Sequence, residues 1–292
     1  MAWRPNRRSF IKVAAALGAS RVCASFAQAV APPASLLSAP LEVVGDWGGS
    51  LPDSAKRVVL RMREACLAGV PLLSDRQPDR LRVENRSKGP PAIWLHSDPA
   101  TTGWVIVDID PRDWCKLAYQ FGHELGHVLA NSWNAAAWPR PPCQWLEEAM
   151  VEAFSIRGLA PLADAWERNP PFPGDSAFAG AIRQYRADLV AQYQKAGGQP
   201  RFVDLAAWFA ATRPALDAAR GLSDFLGPAV IVALAALESD LACVEDLGAL
   251  NRWPERSALP VEDYLARWAT SCAEIGAAGE LPARLKAALG VG

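Results

Sequence analysis

The chain is predicted to be an α+β protein, with a small mixed sheet and helices in its N-terminal part and a mainly α-helical C-terminal part. Three observations predict this. Short runs that alternate apolar and polar residues are confined to residues 41–109. Apolar residues at helical spacing dominate from residue 159 onward, with Pro and Gly between the segments. The 292 residues are 51% hydrophobic and 21% charged, enough to bury a large core. Thirty basic residues face 31 acidic ones, so no basic face calls for a nucleic-acid partner.

In chain order, residues 1–29 read as a signal peptide rather than as fold. Asn6-Arg7-Arg8-Ser9-Phe10-Ile11-Lys12 resembles the twin-arginine export motif. A mildly apolar run, Arg21, and small residues suited to cleavage after Ala27 or Ala29 follow it. Export to the periplasm or the outside is the expected location. Ser20 stands three positions before Cys23, where a lipoprotein signal has an apolar residue, so no lipid anchor is expected. The longest apolar run, 226–237, is too short for a membrane span and reads as a buried helix. No integral membrane segment is therefore expected after signal removal.

Residues 30–158 are predicted to form a first lobe and 159–292 a helical second lobe. After a linker at 31–39, strands are expected at 41–44, 81–84, 92–96 and 103–109, with an amphipathic helix at 53–67. Asp110 reads as the N-cap of the next helix, with Pro111 at its first position and an end near residue 130. A further helix starts near Trp145, and others are expected at 176–196, 203–212, 223–237, 261–271 and 282–289. Seven of the twelve tryptophans lie between Trp94 and Trp166; core packing is the expected role, with Trp138 as the candidate for a cleft. Five cysteines remain after signal removal, and Cys243–Cys272 and Cys115–Cys143 are the pairs expected in an oxidising compartment. The absence of C-x-x-C argues against a cysteine metal site.

Two of the three histidines fall in His123-Glu124-Leu125-Gly126-His127. On a helix, residues four apart share a face, so both imidazoles can reach one zinc ion, with Glu124 placed to deprotonate a water there. Gly122 and Gly126 suit a buried helix whose backbone is closely approached. Catalytic zinc takes three protein ligands and keeps a fourth position open. The next helix, Trp145-Leu146-Glu147-Glu148-Ala149-Met150-Val151-Glu152, sets Glu148 and Glu152 beside an apolar stripe, where acids are unusual without a cation to meet. His96, at a strand end, is read as a surface residue rather than a ligand.

Together these two helices resemble the gluzincin zinc metallopeptidases, whose second helix often reads W-L-x-E-G-x-A-E; the resemblance spans the two helices and the loop between them. It implies a zincin-like first lobe, one Zn2+ per chain, and Glu148 as third ligand, with Glu147 as the rival one residue out of register. It also implies that Glu152 orients His123 and that Glu124 is the general base. Ala149 and Val151 depart from the family's Gly and Ala. The family usually adds a Tyr or His from the second lobe as oxyanion donor. Every histidine precedes residue 128, so Tyr185, Tyr193 and Tyr264 are the tyrosines of that lobe, with Tyr185 and Tyr193 as candidates, while Tyr119 lies one turn before His123. In the family an edge strand also pairs with extended substrate, a role open to 92–96 or 103–109. The expected function is an exported zinc metallopeptidase acting on peptides or proteins. The absence of a G-A-M-E-N type motif disfavours an aminopeptidase, and an endopeptidase is the expectation carried forward. The alternative is a catalytically silent zincin-like protein that binds metal or peptide.

Overall fold

The computed structural model describes residues 35–49, 51–86, 89–96, 101–196 and 204–292. The twin-arginine stretch and the cleavage sites lie outside them. The chain is α+β and mostly helical, with one four-stranded mixed sheet.

β1 (Leu41–Gly45), β2 (Arg80–Asn85), β3 (Ala92–Ile93) and β4 (Thr102–Val107) are arranged in the order β1-β2-β4-β3. β1 and β2 run parallel, joined through α1 (Pro52–Leu67), and β2 and β4 are also parallel. β3 alone is antiparallel, pairing Ala92 with Ile106 and Ile93 with Val105. Of the two strands considered for the sheet edge, β4 is paired on both sides and β3 on one. Leu81, Val83 and Val105 turn their side chains into the core.

α2 (Trp114–Leu129) starts later than its sequence suggests. Arg112 takes φ of +64°, which interrupts helical winding after Pro111, so Asp113 caps the helix by accepting from the Lys116 amide at 3.2 Å. Gln120 ties α2 to the end of β4, exchanging two hydrogen bonds with the backbone of Asp108 at 2.9 and 3.1 Å. Asn131, at φ +62°, closes the other end, and its amide donates to the carbonyls of Gly248 and Leu250.

α3 (Gln144–Arg168) passes through residue 158 without a break and carries Pro161 inside it. It is the central helix, packed by α1, α2, α4 (Ala179–Ala196) and α6 (Gly227–Ser239). That explains why apolar residues cover most of its circumference. α5 (Leu205–Leu216), α7 (Leu241–Leu247), α8 (Val261–Ile275) and α9 (Glu280–Leu289) complete the described helices, and the described residues form one compact unit. α7 has no counterpart among the predicted helices. Its buried Glu245 and Asp246 are structural: Glu245 accepts from the amides of Leu72 and Leu73, and Asp246 from those of Gly279 and Leu281.

The contact between α2 and α3 sets the register of everything that follows. A Cβ on Gly126 would lie 2.8 Å from Val151 Cβ, and one on Gly122 would lie 2.8 Å from Ser155 Oγ. Position falls along α2 as it rises along α3, so the helices run antiparallel, with Glu147 and Glu148 brought against His127 and Glu152 against His123. Gly126→Ala tests this close approach. Helix propensity alone favours alanine by about 1 kcal/mol, whereas overpacking against Val151 costs about 1–3 kcal/mol. A lowered denaturation midpoint is therefore expected, and a raised one would refute the packing argument.

Two other expectations are corrected. Cys66, Cys115, Cys143, Cys243 and Cys272 are all free and buried, so neither Cys243–Cys272 nor Cys115–Cys143 is formed; each thiol is instead packed as a small apolar group. Trp138, the tryptophan expected at a cleft, is 67% exposed and does not line the cavity beside His123 and His127, whereas Trp145, Trp166 and Trp268 fill the core as expected. Among the described residues no helix is long and apolar enough to cross a membrane.

Candidate metal centre

His123 and His127 leave α2 one turn apart and face Glu148 on α3. His123 Nε2 lies 3.5 Å from Glu148 Oε2, and His127 Nε2 lies 3.6 Å from the same oxygen. Ligand atoms about 2.05 Å from a shared tetrahedral zinc would stand about 3.3 Å apart, so the chain holds them close to coordinating distance. Among the described residues this trio is the one group of His, Cys, Asp or Glu that could hold a metal ion. Its two imidazoles and one carboxylate suit a borderline ion such as zinc, and the adjoining cavity leaves room for a further ligand.

Each histidine is held from behind by a different glutamate. Nδ1 of His123 lies 2.8 Å from Glu152 Oε2, and Nδ1 of His127 lies 2.7 Å from Glu147 Oε1. Each carboxylate accepts from an Nδ1–H, so in both rings Nε2 is the nitrogen turned toward the metal position. Each glutamate is anchored in turn. The Tyr119 hydroxyl donates to Glu152 at 2.7 Å. The Asn251 amide donates to Glu147 at 2.7 Å, and the Tyr264 hydroxyl donates to Asn251 at 2.9 Å. Glu147 is thus the support of His127, with both its oxygens occupied. Nothing local in the sequence points to Asn251 or Tyr264, which come from the far end of the chain. Glu147→Gln and Glu152→Gln keep the shape of these contacts but remove the charge, and each is expected to weaken zinc binding about tenfold. Competition with a chelator measures this; unchanged affinity in both variants would show that the contacts do not tune the ligands.

Charge in the site is tightly coupled. Burial by itself holds His123 neutral, but its hydrogen bonds to Glu148 and Glu152 outweigh that and raise it to about 10. His127 is raised in the same way, against burial, by Glu148 and Glu147. Glu148 is pushed down, because the two imidazolium groups overcome the cost of its burial. A cation at this position replaces the two Nε2 protons, so zinc binding near neutral pH is expected to release about two protons and to tighten as pH rises. Calorimetry in buffers of different ionisation enthalpy counts them. A count near zero would contradict the arrangement.

Glu124 differs from the other glutamates. It is 3% exposed, lines the cavity, and has no hydrogen bond or ion pair with any described residue. Burial raises its pKa, against the pull of His123 and His127. A buried carboxylate left without a partner beside a donor set is poised to take a proton.

The cavity is about 600 Å³ and is walled by α2, α3, the β3 edge from Pro90 to Leu95, and the connection at Arg220, Gly221 and Leu222. Neither Tyr185 nor Tyr193 lines it. Tyr185 packs edge-on to Tyr119 with ring centres 5.9 Å apart, and burial followed by Asp113 lifts it to about 12. Tyr193 is buried, and Gly227 packs on its backbone. The helical period of α4 gave no means of telling which of its faces turns to the cleft. His96 sits against Trp104, with ring centres 5.1 Å apart, outside the metal-binding trio. Comparison with known proteins finds no matching family model, no matching curated protein and no matching solved structure. The chemistry open to the site follows from its own side chains.

Proposed function

We propose that the chain is a zincin-like zinc metallopeptidase of the gluzincin type, exported by its twin-arginine-type N-terminus and cleaving peptide bonds within its substrates. The observation that carries this is the buried, unpartnered Glu124 beside the His123, His127 and Glu148 donor set. When bound, zinc supplies a water of lowered pKa and polarises the carbonyl under attack. Glu124 takes the proton of the attacking water and delivers it to the leaving amine. Glu147 and Glu152 keep the imidazoles turned inward throughout. The β3 edge, already paired to β4 on its other side, gives an extended peptide a strand to add to beside these residues.

One observation favours the alternative, a zincin-like protein that binds metal or peptide without turnover. Tyr185 and Tyr193 are both absent from the cavity wall, and Tyr119, which lines it, has its hydroxyl committed to Glu152. The intact Glu124 weighs more, since a silent site has no use for a base. Digestion of an unbiased peptide library by the zinc-loaded protein tests the proposal. Cleavage that stops with chelator and returns with zinc is expected; peptide binding without any cleavage would establish the silent protein instead.

A further inference from the structure

We propose that Arg220 makes the cleft selective for acidic peptides, those with a carboxylate one or more residues from the bond that is cut. This rests on the metallopeptidase proposal and concerns its substrate class. Arg220 lies on the connection between α5 and α6 and lines the same cavity as the metal ligands and Glu124. No other arginine and no lysine is among the described residues lining it.

Arg220 has no hydrogen bond or ion pair with any described residue. Asp217, three residues earlier in the chain, is reached instead by Arg213 at 3.7 Å, and Arg213 also holds Glu262 at 2.6 Å. A cation left over at the mouth of a cleft has its charge available to whatever enters. Away from the metal position, Arg220 is the cation among the described lining residues, so a carboxylate on an entering peptide has a favourable partner there. Arg220 is exposed, whereas Glu124 is buried. That sets it at the rim, where it reads the charge of a neighbouring residue rather than the reacting carbonyl. The planar guanidinium fits a carboxylate with two parallel hydrogen bonds.

The carboxylate can belong to an Asp or Glu side chain or to the peptide's C terminus. A set of peptides separates the two sources: one Glu, or its Gln counterpart, is walked along an apolar sequence, and each peptide is made with a free and an amidated C terminus. For zinc-loaded wild type, kcat/KM is expected to favour the carboxylate form about three- to tenfold at one position or at the terminus. The preference is expected to shrink as salt is added. In Arg220→Ala the ratio falls to about one, and in Arg220→Glu it reverses toward a peptide with Lys at that position. Ratios within one variant cancel any loss of folded protein. If wild type cleaves every form equally, or Arg220→Glu keeps the wild-type preference, this inference is overturned while the metallopeptidase proposal stands. If zinc-loaded wild type cleaves none of the peptides, both fall together.

Discussion

Glu124→Gln is expected to lower kcat/KM by about 10³-fold while leaving one zinc per chain in place. General-base catalysis by a positioned side chain contributes about 10²–10⁴-fold, and glutamine keeps the size of glutamate without its capacity to take a proton. Glu124 is not among the atoms that converge on the metal position, so its loss removes no ligand. It also accepts from no described residue, so the substitution orphans no buried donor. Burial, which raises its pKa, disfavours the charge that glutamine removes. Folding, zinc content and peptide binding should therefore match wild type, with turnover alone affected. Residual activity above about a tenth of wild type would remove Glu124 from the reaction.

Glu148→Ala is expected to have the largest effect on the metal. Glu148 Oε2 is the atom that both Nε2 nitrogens approach, at 3.5 and 3.6 Å, so its removal leaves two ligands where a catalytic zinc needs three. The variant also leaves two raised imidazoles facing each other without the carboxylate that favours their charged forms. Zinc content measured on natively purified protein should drop from one per chain to near zero. Glu147→Ala makes the informative comparison. Glu147 is bonded to Nδ1 of His127 and to Asn251, so its loss should weaken zinc without abolishing it. The reverse order of effects would make Glu147 the ligand.

The parts of the site that could be read from sequence are those set by local geometry. His123 and His127 share a face because they are one helical turn apart, and Glu148 and Glu152 are related in the same way on α3. Gly122 and Gly126 marked the face of α2 that α3 approaches, and that single contact carries the register of the whole site. Beyond one helix the sequence is less informative. Glu147 looked like a competitor of Glu148, because helical spacing alone cannot say which of two adjacent acids meets a metal and which meets the back of an imidazole. Asn251 and Tyr264 depend on the connection between α7 and α8 reaching Ala130 and Glu147, and no periodicity encodes that.

The sheet and the first helix followed from alternation and amphipathicity, whereas boundaries failed where one backbone angle decided them. Pro111 is a good first helical residue, yet Arg112 at φ +64° moves the start of α2 to Trp114. α7 is short, and its acids turn inward to backbone amides, which hides it from any search for an amphipathic stripe. Cysteine count could not distinguish pairing from packing; all five described thiols are buried as single groups. The residue with most to say about substrate, Arg220, lies on a connection, where pattern carries no information about which cavity a side chain borders.

The most direct test of the metal centre is a crystal structure of the zinc-loaded protein with anomalous data collected at the zinc edge. One peak is expected within about 2.0–2.2 Å of His123 Nε2, His127 Nε2 and a carboxylate oxygen of Glu148, with Glu152 and Glu147 still bonded to the two Nδ1 atoms. A peak bound through Nδ1 or by Glu147 in place of Glu148, or no peak between α2 and α3, would contradict the centre described here.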